Sequence, residues 1–430
     1  MIGILGGGIS GLALAVELGA RCEVLEKSNR CAGLCETVAE DGFLFDATGP
    51  HILFSKDKET LAYIVEVLGE NVHQKKRQNR IWFKDRYVKY PFENGLHVLD
   101  KQDLYECLLG YLKNPHEGPP QNLAEWAYCI FGEGIADKYL LPYNHKIWKW
   151  DPKLTSLDWA ARIPRPPMED VLKSAIGIET EGYLHQLHFY YPKRGGIEAL
   201  VKAFADRCQE RVQLGFEVAE VAKEGQLWRV TSKAGDVRRY ATLVSTLPSH
   251  ELAKIWPDRP QDLDAALGRL RYNGLANVLL GWRGSRDDTT AIYVPDPDVI
   301  FHRVSFPGSF SEHCVPPGHA ALVAEVTAAP DSELWARSDD AIREDVLAGV
   351  EKLGLLRRED LVYQKVIRYP YGYPISDLDY ATNVAEMREI VAGTGLHLLG
   401  RFAEFDYINA DVCIARARAL GQRLGGQGAP

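Results

Sequence analysis

Residues 1–26 read MIGILGGGISGLALAVELGARCEVLE, and this stretch decides the fold. The short apolar run at residues 1–5 is typical of a buried parallel strand, and the pattern at residues 12–18 is typical of a helix. The glycine-rich segment GGGISG at residues 6–11 joins them. The stretch therefore predicts a strand, a glycine turn and a helix.

The glycines of this turn have separate predicted roles. Gly6 makes the tight turn, Gly8 lets the backbone approach a pyrophosphate, and Gly11 lets the helix lie close to the strand. A second strand at residues 21–25 ends in Glu26, where such folds place a carboxylate on the ribose hydroxyls. The spacing favours a dinucleotide site, and the alternative is a glycine turn with a structural role alone.

Length and composition bound the class of protein. A chain of 430 residues is too long for one ordinary core, so we expect two domains or one elaborated domain. Its 46% apolar and 25% charged residues are typical of a soluble globular protein, and its net charge of −9 argues against nucleic-acid binding. Cys31 and Cys35 lack the spacing of a redox or zinc pair, so we expect reduced thiols and no metal site.

The lengths of the apolar runs and the position of the first strand predict the cellular location. No apolar run approaches the length of a membrane span, and the first strand begins at residue 2, which leaves no room for a signal peptide. We therefore expect a cytoplasmic protein without membrane insertion. The sequence leaves the oligomeric state open, and a homo-oligomer is one alternative.

The rest of the chain predicts a helical insert and a second sheet. Residues 81–92 read as a hairpin that ends at a proline. Helical patterns follow at residues 100–113 and 123–139, with prolines between them. Short β-rich runs within residues 277–326 predict an antiparallel sheet. Arg303 lies in one of these runs, where the simplest interpretation is a surface charge on an edge strand.

Two aromatic stretches stay ambiguous at this stage. Residues 141–148 read LPYNHKIW and residues 157–164 read LDWAARIP, so both mix aromatic side chains with single cations. That mixture suits a nucleotide-sugar cleft and equally suits a packed domain boundary. Near the C-terminus, a strand at residues 396–399 runs into Gly400 and then into a helical pattern, which offers a second helix start for a phosphate or a flavin.

The loop after Glu26 carries the first resemblance to a known family. Residues 27–34 read KSNRCAGL, a basic loop that contains Arg30 and Gly33. It resembles the second flavin motif of FAD proteins of the amine oxidase type, which include protoporphyrinogen oxidases, phytoene desaturases and UDP-galactopyranose mutases. FAD therefore becomes the expected cofactor in place of NAD.

Later motifs narrow the resemblance to the eukaryotic type of UDP-galactopyranose mutase. Residues 46–55, DATGPHILFS, resemble the mutase loop that runs along the isoalloxazine ring and carries a histidine, here His51. The alternative for His51 is a capped turn after a strand, because Gly-Pro marks turns. Five mutase motifs occur in one order, at residues 51–55, 90–94, 142–148, 192–196 and 400–402.

The resemblance implies an α/β fold with a Rossmann-type FAD-binding domain, an inserted helical region and a mixed α+β substrate domain with an antiparallel sheet. The FAD-binding domain is expected to be discontinuous and to comprise residues 1–90, 186–246 and 362–430. Residues 91–185 are expected to form the helical insert or lid. Residues 247–361 are expected to form the β-rich substrate domain.

The reaction implied by the resemblance interconverts the pyranose and furanose forms of a UDP-sugar with no net redox change. Reduced flavin attacks the anomeric carbon through N5, UDP leaves, and the flavin-bound sugar opens and recloses as the other ring before UDP returns. The implied cofactor is FAD in its reduced form, with NADPH or NADH as an external reductant. The implied substrate is UDP-galactose or a related UDP-sugar used in cell-surface glycan synthesis.

The resemblance also assigns catalytic residues. Arg303 matches one of two arginines that hold the diphosphate, and Arg162 matches the other after a one-residue gap. Tyr373 and Tyr407 match tyrosines that donate hydrogen bonds to the diphosphate. His51 matches the flavin-loop histidine.

Cofactor and substrate residues follow from the same motifs. Arg401 and Asn409 match positions near the flavin and the sugar. Val218 is expected near the adenine, and it also fits as a core strand residue. The predicted cofactor-binding residues are Gly6, Gly8, Gly11, Glu26, Arg30, Gly33, Val218, Gly400, Arg401 and Asn409. The predicted substrate-binding residues are Phe54, Tyr90, Glu93, Tyr143 and Trp148.

Three positions depart from the mutase pattern. Phe310 stands where the family has another diphosphate tyrosine, Glu93 replaces a glutamine beside the nucleotide base, and Ala291 replaces an aromatic residue near the sugar. A lost hydroxyl and an added negative charge both change which ligand can bind. The departures therefore concern the substrate more than the flavin.

Two other functions stay open. Residues 191–196, YPKRGG, are shared with flavin desaturases and protoporphyrinogen oxidases, so the first is an FAD-dependent oxidoreductase of the amine oxidase type. The arginines of the second domain speak against an apolar substrate, which would leave buried cations without a partner. The second is a flavoprotein that binds a sugar nucleotide without turning it over.

Overall fold

The computed structural model describes residues 1–160, 163, 165–181 and 187–426. Its strands are β1 (Ile2–Leu5), β2 (Cys22–Leu25), β3 (Thr37–Glu40), β4 (Phe43–Asp46), β5 (Val72–Lys76), β6 (Asn79–Phe83), β7 (Arg86–Lys89), β8 (His188–Pro192), β9 (Val212–Gln213), β10 (Val218–Glu224), β11 (Leu227–Ser232), β12 (Val237–Tyr240), β13 (Thr242–Ser245), β14 (Tyr272–Arg283), β15 (Ala291–Tyr293), β16 (Arg303–Ser305), β17 (His319–Ala328), β18 (Leu361–Pro374) and β19 (Leu396–Leu398). Its α-helices are α1 (Ile9–Leu18), α2 (Lys58–Leu68), α3 (Lys101–Leu112), α4 (Leu123–Ile135), α5 (Leu141–Trp148), α6 (Leu157–Ala160), α7 (Met168–Ala175), α8 (Glu198–Asp206), α9 (Ser249–Lys254), α10 (Leu263–Gly268), α11 (Pro307–Phe310), α12 (Glu333–Ala336), α13 (Asp339–Lys352), α14 (Tyr380–Ala392) and α15 (Ala410–Gly426).

A five-stranded sheet contains the glycine turn. Its strand order is β19-β13-β1-β2-β9, and its paired strands run parallel. A Cβ built on Gly11 would lie 2.2 Å from the Gly6 carbonyl oxygen, so a glycine here lets α1 pack closely on the end of β1. The predicted strand, glycine turn and helix are confirmed.

A seven-stranded sheet draws on the middle of the chain. Its order is β18-β14-β17-β16-β15-β6-β7, and its pairs are antiparallel except β15 with β6. The predicted antiparallel sheet is confirmed apart from that pair. β6, β7 and nearly all of β18 lie in ranges predicted for the FAD-binding domain, so the sheet crosses those boundaries. The division into domains stays a prediction.

Arg303 lies inside this sheet and not at its edge. β16 is hydrogen-bonded to β15 on one side and to β17 on the other, so the interpretation as an edge-strand surface charge is wrong. The register places Arg303 opposite Tyr293 and Glu325, and it places Glu325 opposite Asn277 of β14. Opposed residues on neighbouring strands share a face, so these four polar side chains form a row across the sheet.

Helices α3 to α7 form the predicted helical region. α4 ends at Ile135, before the predicted end at residue 139, and a π-helical turn at Ala136–Leu140 leads into α5. Phe131 of α4 packs with Phe92 in one apolar core. α5 packs against β17, so this region meets the seven-stranded sheet beside the polar row.

Candidate active site

The glycine turn and the loop after β2 form a backbone cradle. Gly6 has a φ of +101° and Gly33 a φ of +59°, both in the region that favours glycine. A Cβ on Gly33 would lie 2.9 Å from the Gly8 Cα, so the two backbones are in contact. In the described part of the chain, no side chain caps α1 at Gly8, which leaves its first N–H groups available to an anion.

Glu26 fastens this cradle. Its Oε2 accepts a hydrogen bond from the Gly7 N–H at 2.7 Å, and its Oε1 accepts one from the Ser28 N–H at 2.9 Å. The Glu26 carbonyl accepts the Phe216 N–H at 2.9 Å. The segment that leads into Val218 therefore lies beside the carboxylate predicted to bind the ribose.

Gly400 and Arg30 are fixed by contacts of their own. Gly400 has a φ of +103°, and a Cβ there would lie 2.7 Å from Ser10 Oγ, so the end of β19 lies against the start of α1. Arg30 forms ion pairs with Glu36 at 2.7 Å and with Glu198 at 3.3 Å. Its side chain is about half exposed, so Arg30 remains accessible from solvent.

A cavity of about 620 Å³ is lined by the loop of residues 46–55 (the His51 loop), the seven-stranded sheet, α5 and the start of α15. It gathers predicted residues from distant parts of the chain, namely His51, Phe54, Tyr90, Glu93, Tyr143, Arg303, Tyr373, Arg401, Tyr407 and Asn409. Ala291 and Phe310, which depart from the mutase pattern, line it as well. Arg162 lies outside the described residues, and its role stays a prediction.

Arg303 is held at one edge of its guanidinium group. Its Nε and Nη2 donate to the two carboxylate oxygens of Glu325 at 2.6 Å each. Glu325 is fully buried and also accepts the Tyr373 hydroxyl at 3.1 Å. Burial by itself would lower the pKa of Arg303, but Glu325 raises that pKa well above its usual value. Arg303 therefore stays charged.

Arg401 is the contrasting cation of the cavity. Its Nε and Nη2 are buried and have no hydrogen-bond partner among the described residues. Its guanidinium carbon lies 4.3 Å from the centre of the Tyr407 ring and 5.3 Å from that of Tyr373. Buried donors without acceptors cost free energy, so the Arg401 side chain favours a ligand that supplies acceptor oxygens, such as those of a flavin carbonyl or a phosphate.

His51 is neutral. Its Nε2 lies 2.7 Å from Thr48 Oγ1, and the Thr48 hydroxyl donates to the Leu34 carbonyl at 2.6 Å. The hydroxyl is therefore the acceptor for the ring, and His51 Nε2 carries the hydrogen. Burial, and then the charges of Arg401 and Arg303, lower the pKa of His51 to about 3. The ring adds no charge to the cavity at neutral pH.

Another part of the cavity wall combines aromatic rings, a cation and an acid. Glu93 is 4% exposed, and burial raises its pKa to about 7. The Tyr90 ring stacks on Tyr293 with centroids 4.7 Å apart. Arg77 Nη2 donates to the Tyr293 hydroxyl at 2.9 Å, and its guanidinium lies 5.5 Å from the Tyr90 ring centre. An acid that titrates near neutral pH thus shares the cavity with a stacked aromatic pair.

Helix α5, which contains the LPYNHKIW stretch, contributes one aromatic side chain to the cavity lining and buries another. Tyr143 lines the cavity, whereas Trp148 is 3% exposed and lies edge-on to two tyrosine rings of the wall at 5.9 Å. Asn144 Oδ1 accepts the indole N–H of Trp148 at 3.2 Å and that of Trp159 at 2.9 Å. Trp148 is absent from the described lining, and its contact with substrate stays a prediction.

The residues that sequence analysis missed include three that line the cavity, Tyr293, Arg77 and Asn144, and the fully buried Glu325 that pairs with Arg303. Glu325 does carry a signal, because residues 320–328 read AALVAEVTA, a single acid within an apolar strand. A buried charge of this kind needs a partner. The identity of that partner depends on strand register, which no motif in the sequence supplies.

Known proteins resemble the chain over most of its length. A family model described as flavin containing amine oxidoreductase matches residues 9–368. The crystal structure of reduced UDP-galactopyranose mutase matches 100% of this chain and 96% of its own, with a TM-score of 0.90 and 25% identity. A structure assigned to a protoporphyrinogen oxidase from Exiguobacterium matches 99% and 98%, with a TM-score of 0.77 and 19% identity. The CLA-producing fatty acid isomerase from P. acnes matches 98% of each chain, with a TM-score of 0.68 and 15% identity.

These similarities confirm the predicted α/β FAD-binding fold. The two less identical structures show the fold alone. The similar structures include isomerases and an oxidase, so the fold does not identify the reaction. The reaction has to be inferred from the residues that line the cavity. Among the described helices, none is both long enough and apolar enough to cross a membrane.

Proposed function

The chain belongs to the family of flavin-containing amine oxidoreductases, and on this premise we propose that it is an FAD-dependent mutase that interconverts the pyranose and furanose forms of a nucleotide sugar. UDP-galactose or a related UDP-sugar is the proposed substrate. The observation that carries this function is Arg303, a charged guanidinium group that lines the cavity beside the Tyr373 hydroxyl. A diphosphate supplies acceptors for a guanidinium group and for the tyrosine hydroxyl beside it.

The residues present fit FAD. Gly6 and Gly8 allow a close backbone approach, and the uncapped start of α1 offers N–H groups to a pyrophosphate. Glu26 holds two backbone N–H groups, and its remaining lone pairs can accept ribose hydroxyls. Arg401 and Asn409 would meet the flavin side of the cavity. When bound and reduced, FAD supplies an electron-rich nucleophile.

The side chains of the cavity would hold the diphosphate while its bond to the sugar breaks. Arg303, Tyr373 and Tyr407 would bind the diphosphate and stabilise the negative charge that grows on UDP as it departs. Fixed donors suit this task because they need no reorganisation as the charge develops. His51, neutral and with Nδ1 as an acceptor, can orient a donor group without adding charge.

A flavin oxidoreductase of the amine oxidase type is the second candidate, because the matching family model carries that description. Such an enzyme would start from oxidised flavin, pass electrons to an acceptor and have no affinity for UDP. Arg303 favours the mutase, since an apolar or amine substrate offers this charged group of the cavity no acceptor.

The deciding experiment uses protein reduced with dithionite under argon. UDP-galactopyranose and UDP-galactofuranose are added separately, and chromatography follows the ring forms. We expect interconversion with reduced protein and none with oxidised protein, and we expect Arg303→Ala to retain flavin but lose this activity. Reduced, flavin-loaded protein that neither converts the sugars nor binds UDP would contradict the mutase and favour the oxidoreductase.

The proposed function needs an external reductant and implies a location. NADPH or NADH is the proposed reductant, and the cytoplasm is the proposed location. Anaerobic addition of each nucleotide, followed by the loss of the flavin absorbance, tests the reductant. Cell fractionation of the native host tests the location.

A further inference from the structure

Glu325 is fully buried and pairs with the cavity residues Arg303 and Tyr373, and the proposed function gives it no role. Both carboxylate oxygens are engaged by Arg303, and Oε2 also accepts the Tyr373 hydroxyl. Gly49 of the His51 loop has a φ of +97°, and a Cβ there would lie 2.6 Å from Glu325 Oε2. The carboxylate is therefore enclosed by the sheet on one side and by loop backbone on the other.

The charge of Arg303 is already balanced when an anionic ligand arrives. Glu325 takes the guanidinium edge formed by Nε and Nη2, so the edge formed by Nη1 and Nη2 is the one that tyrosine hydroxyls and a ligand can share. Nη2 donates to the Tyr373 hydroxyl at 3.4 Å, and Tyr293, the cross-strand neighbour of Arg303, is also hydrogen-bonded to it. A diphosphate would thus meet one open edge of Arg303 between two phenols.

We propose that Glu325 is a positioning residue that limits how tightly the cavity holds its anionic ligand. It fixes Arg303 with one edge open and cancels its charge, so that UDP can separate from the sugar without being trapped. Binding that is equally strong before and during the reaction does not raise the rate, and excess affinity for the leaving group slows turnover. This role rests on the proposed function, because it takes a diphosphate as the ligand.

Two variants of Glu325 separate its charge from its reach. Glu325→Gln keeps the size and removes the charge, whereas Glu325→Asp keeps the charge and shortens the side chain. The matched control is Glu40→Gln, because Glu40 also accepts a tyrosine hydroxyl, that of Tyr363 at 2.9 Å, and lies outside the described cavity lining. Flavin content and Tm are measured for each protein to establish that it is folded and loaded.

Calorimetry of the flavin-loaded proteins measures Kd for UDP and for inorganic pyrophosphate at several salt concentrations. For Glu325→Gln we expect both ligands to bind about tenfold more tightly with a steeper salt dependence, since one opposing charge is removed. We also expect kcat to fall together with KM. For Glu325→Asp we expect the salt dependence of the wild type with a lower kcat. Glu40→Gln should match the wild type.

The outcomes distinguish this role from the proposed function. A folded, flavin-loaded Glu325→Gln that binds pyrophosphate no more tightly than the wild type would overturn the role of Glu325. Wild-type protein that binds pyrophosphate but not UDP would overturn the nucleotide-sugar function, and the pyrophosphate series would still test Glu325. If Glu325→Gln does not fold, Glu325→Asp carries the test, and a steeper salt dependence in that variant would overturn the role.

Discussion

Arg303 and Arg401 line the same cavity, yet their surroundings are opposite. Arg303 lies in the centre of a sheet, and strand register supplies it with a fully buried carboxylate. Arg401 lies in the loop after Gly400, packs on tyrosine rings and has buried donors without a partner among the described residues. The protein itself supplies the counter-charge of Arg303, whereas a ligand would have to supply hydrogen-bond acceptors for Arg401. Loss of Arg303 should therefore cost folding free energy, and loss of Arg401 should cost binding.

Arg303→Ala should have the largest effect of all, because it removes a ligand donor and leaves Glu325 buried without its counter-charge. We expect the free energy of unfolding to fall by about 3 kcal/mol. We expect kcat/KM to fall about 10³-fold. Denaturant titration and the mutase assay measure the two losses. The control is Arg357→Ala, an exposed arginine paired with Glu359 and Asp360, which should change neither quantity measurably. Unchanged stability in Arg303→Ala would show that the buried Glu325 does not depend on this counter-charge.

Arg401→Ala should have the next largest effect, and on binding alone. We expect kcat/KM to fall about 10²-fold, since donors to the ligand are lost. The unfolding free energy of flavin-free protein should stay within about 1 kcal/mol of the wild type, because no partner is left unpaired. Chemical denaturation of the flavin-free protein measures this. A loss of stability as large as that of Arg303→Ala would show that the two cations do not differ as described.

Glu93 adds to the cavity an acid whose charge changes with pH near neutrality. Its pKa of about 7 makes it neutral below that pH and negative above it. A negative charge repels the diphosphate, so the affinity for UDP-galactose should fall about tenfold from pH 6 to pH 8. The substrate is the better probe because its diphosphate has no terminal phosphate that titrates in this range. Glu93→Gln should flatten the profile, and an unchanged profile in that variant would assign the titration elsewhere.

The same shift of Glu93 has a consequence for stability. Because its pKa in the folded protein lies above the unfolded value of 4.5, the unfolded chain loses this proton first. Its contribution to the free energy of unfolding is therefore fully present below about pH 4.5 and is lost as the pH rises through about 7. Glu93→Gln should lessen the fall in stability over this range, as measured by denaturant titration at each pH.

Thr48→Val should have the smallest effect, because Thr48 carries no charge and, although it lines the cavity, its described hydrogen bonds are to Leu34 and His51. The change removes the acceptor of His51 Nε2 and the hydroxyl that donates to Leu34. We expect the unfolding free energy to fall by about 1 kcal/mol and KM to rise about threefold. Thr394→Val is the matched control, since it removes a similar bond to the Val391 carbonyl outside the described cavity lining. That control should lose similar stability with an unchanged KM, and a KM that rises equally in both variants would contradict a role for Thr48 at the site.

The parts of this molecule that could be predicted from sequence are those built by neighbouring residues. The glycine turn, its helix and Glu26 lie within 26 consecutive residues, and the backbone needs of a tight turn appear directly as Gly6, Gly8 and Gly11. The predicted residues of the cavity wall follow from motifs recognised as a family pattern. Ten of them line one cavity, which supports the carry-over of those motifs.

The remaining residues could not be predicted because long-range pairing places them. Glu325 reaches Arg303 only through the register of β16 and β17, and Tyr293 reaches it through β15. A shift of one residue would turn each side chain to the other face of the sheet. The edge-strand interpretation of Arg303 failed for the same reason, since neighbouring strands come from distant segments. The contact predicted for Trp148 depends on which face of α5 meets the cavity, which the motif does not record.

The contact between Gly49 and Glu325 has an evolutionary consequence. Any side chain at position 49 would collide with the carboxylate, and its backbone would be strained at a φ of +97°. A glutamate at position 325 therefore requires glycine at position 49, although the two positions lie far apart in the chain. Among relatives that share this cavity, glutamate at 325 should occur only with glycine at 49, whereas glycine at 49 should persist where the acid is lost.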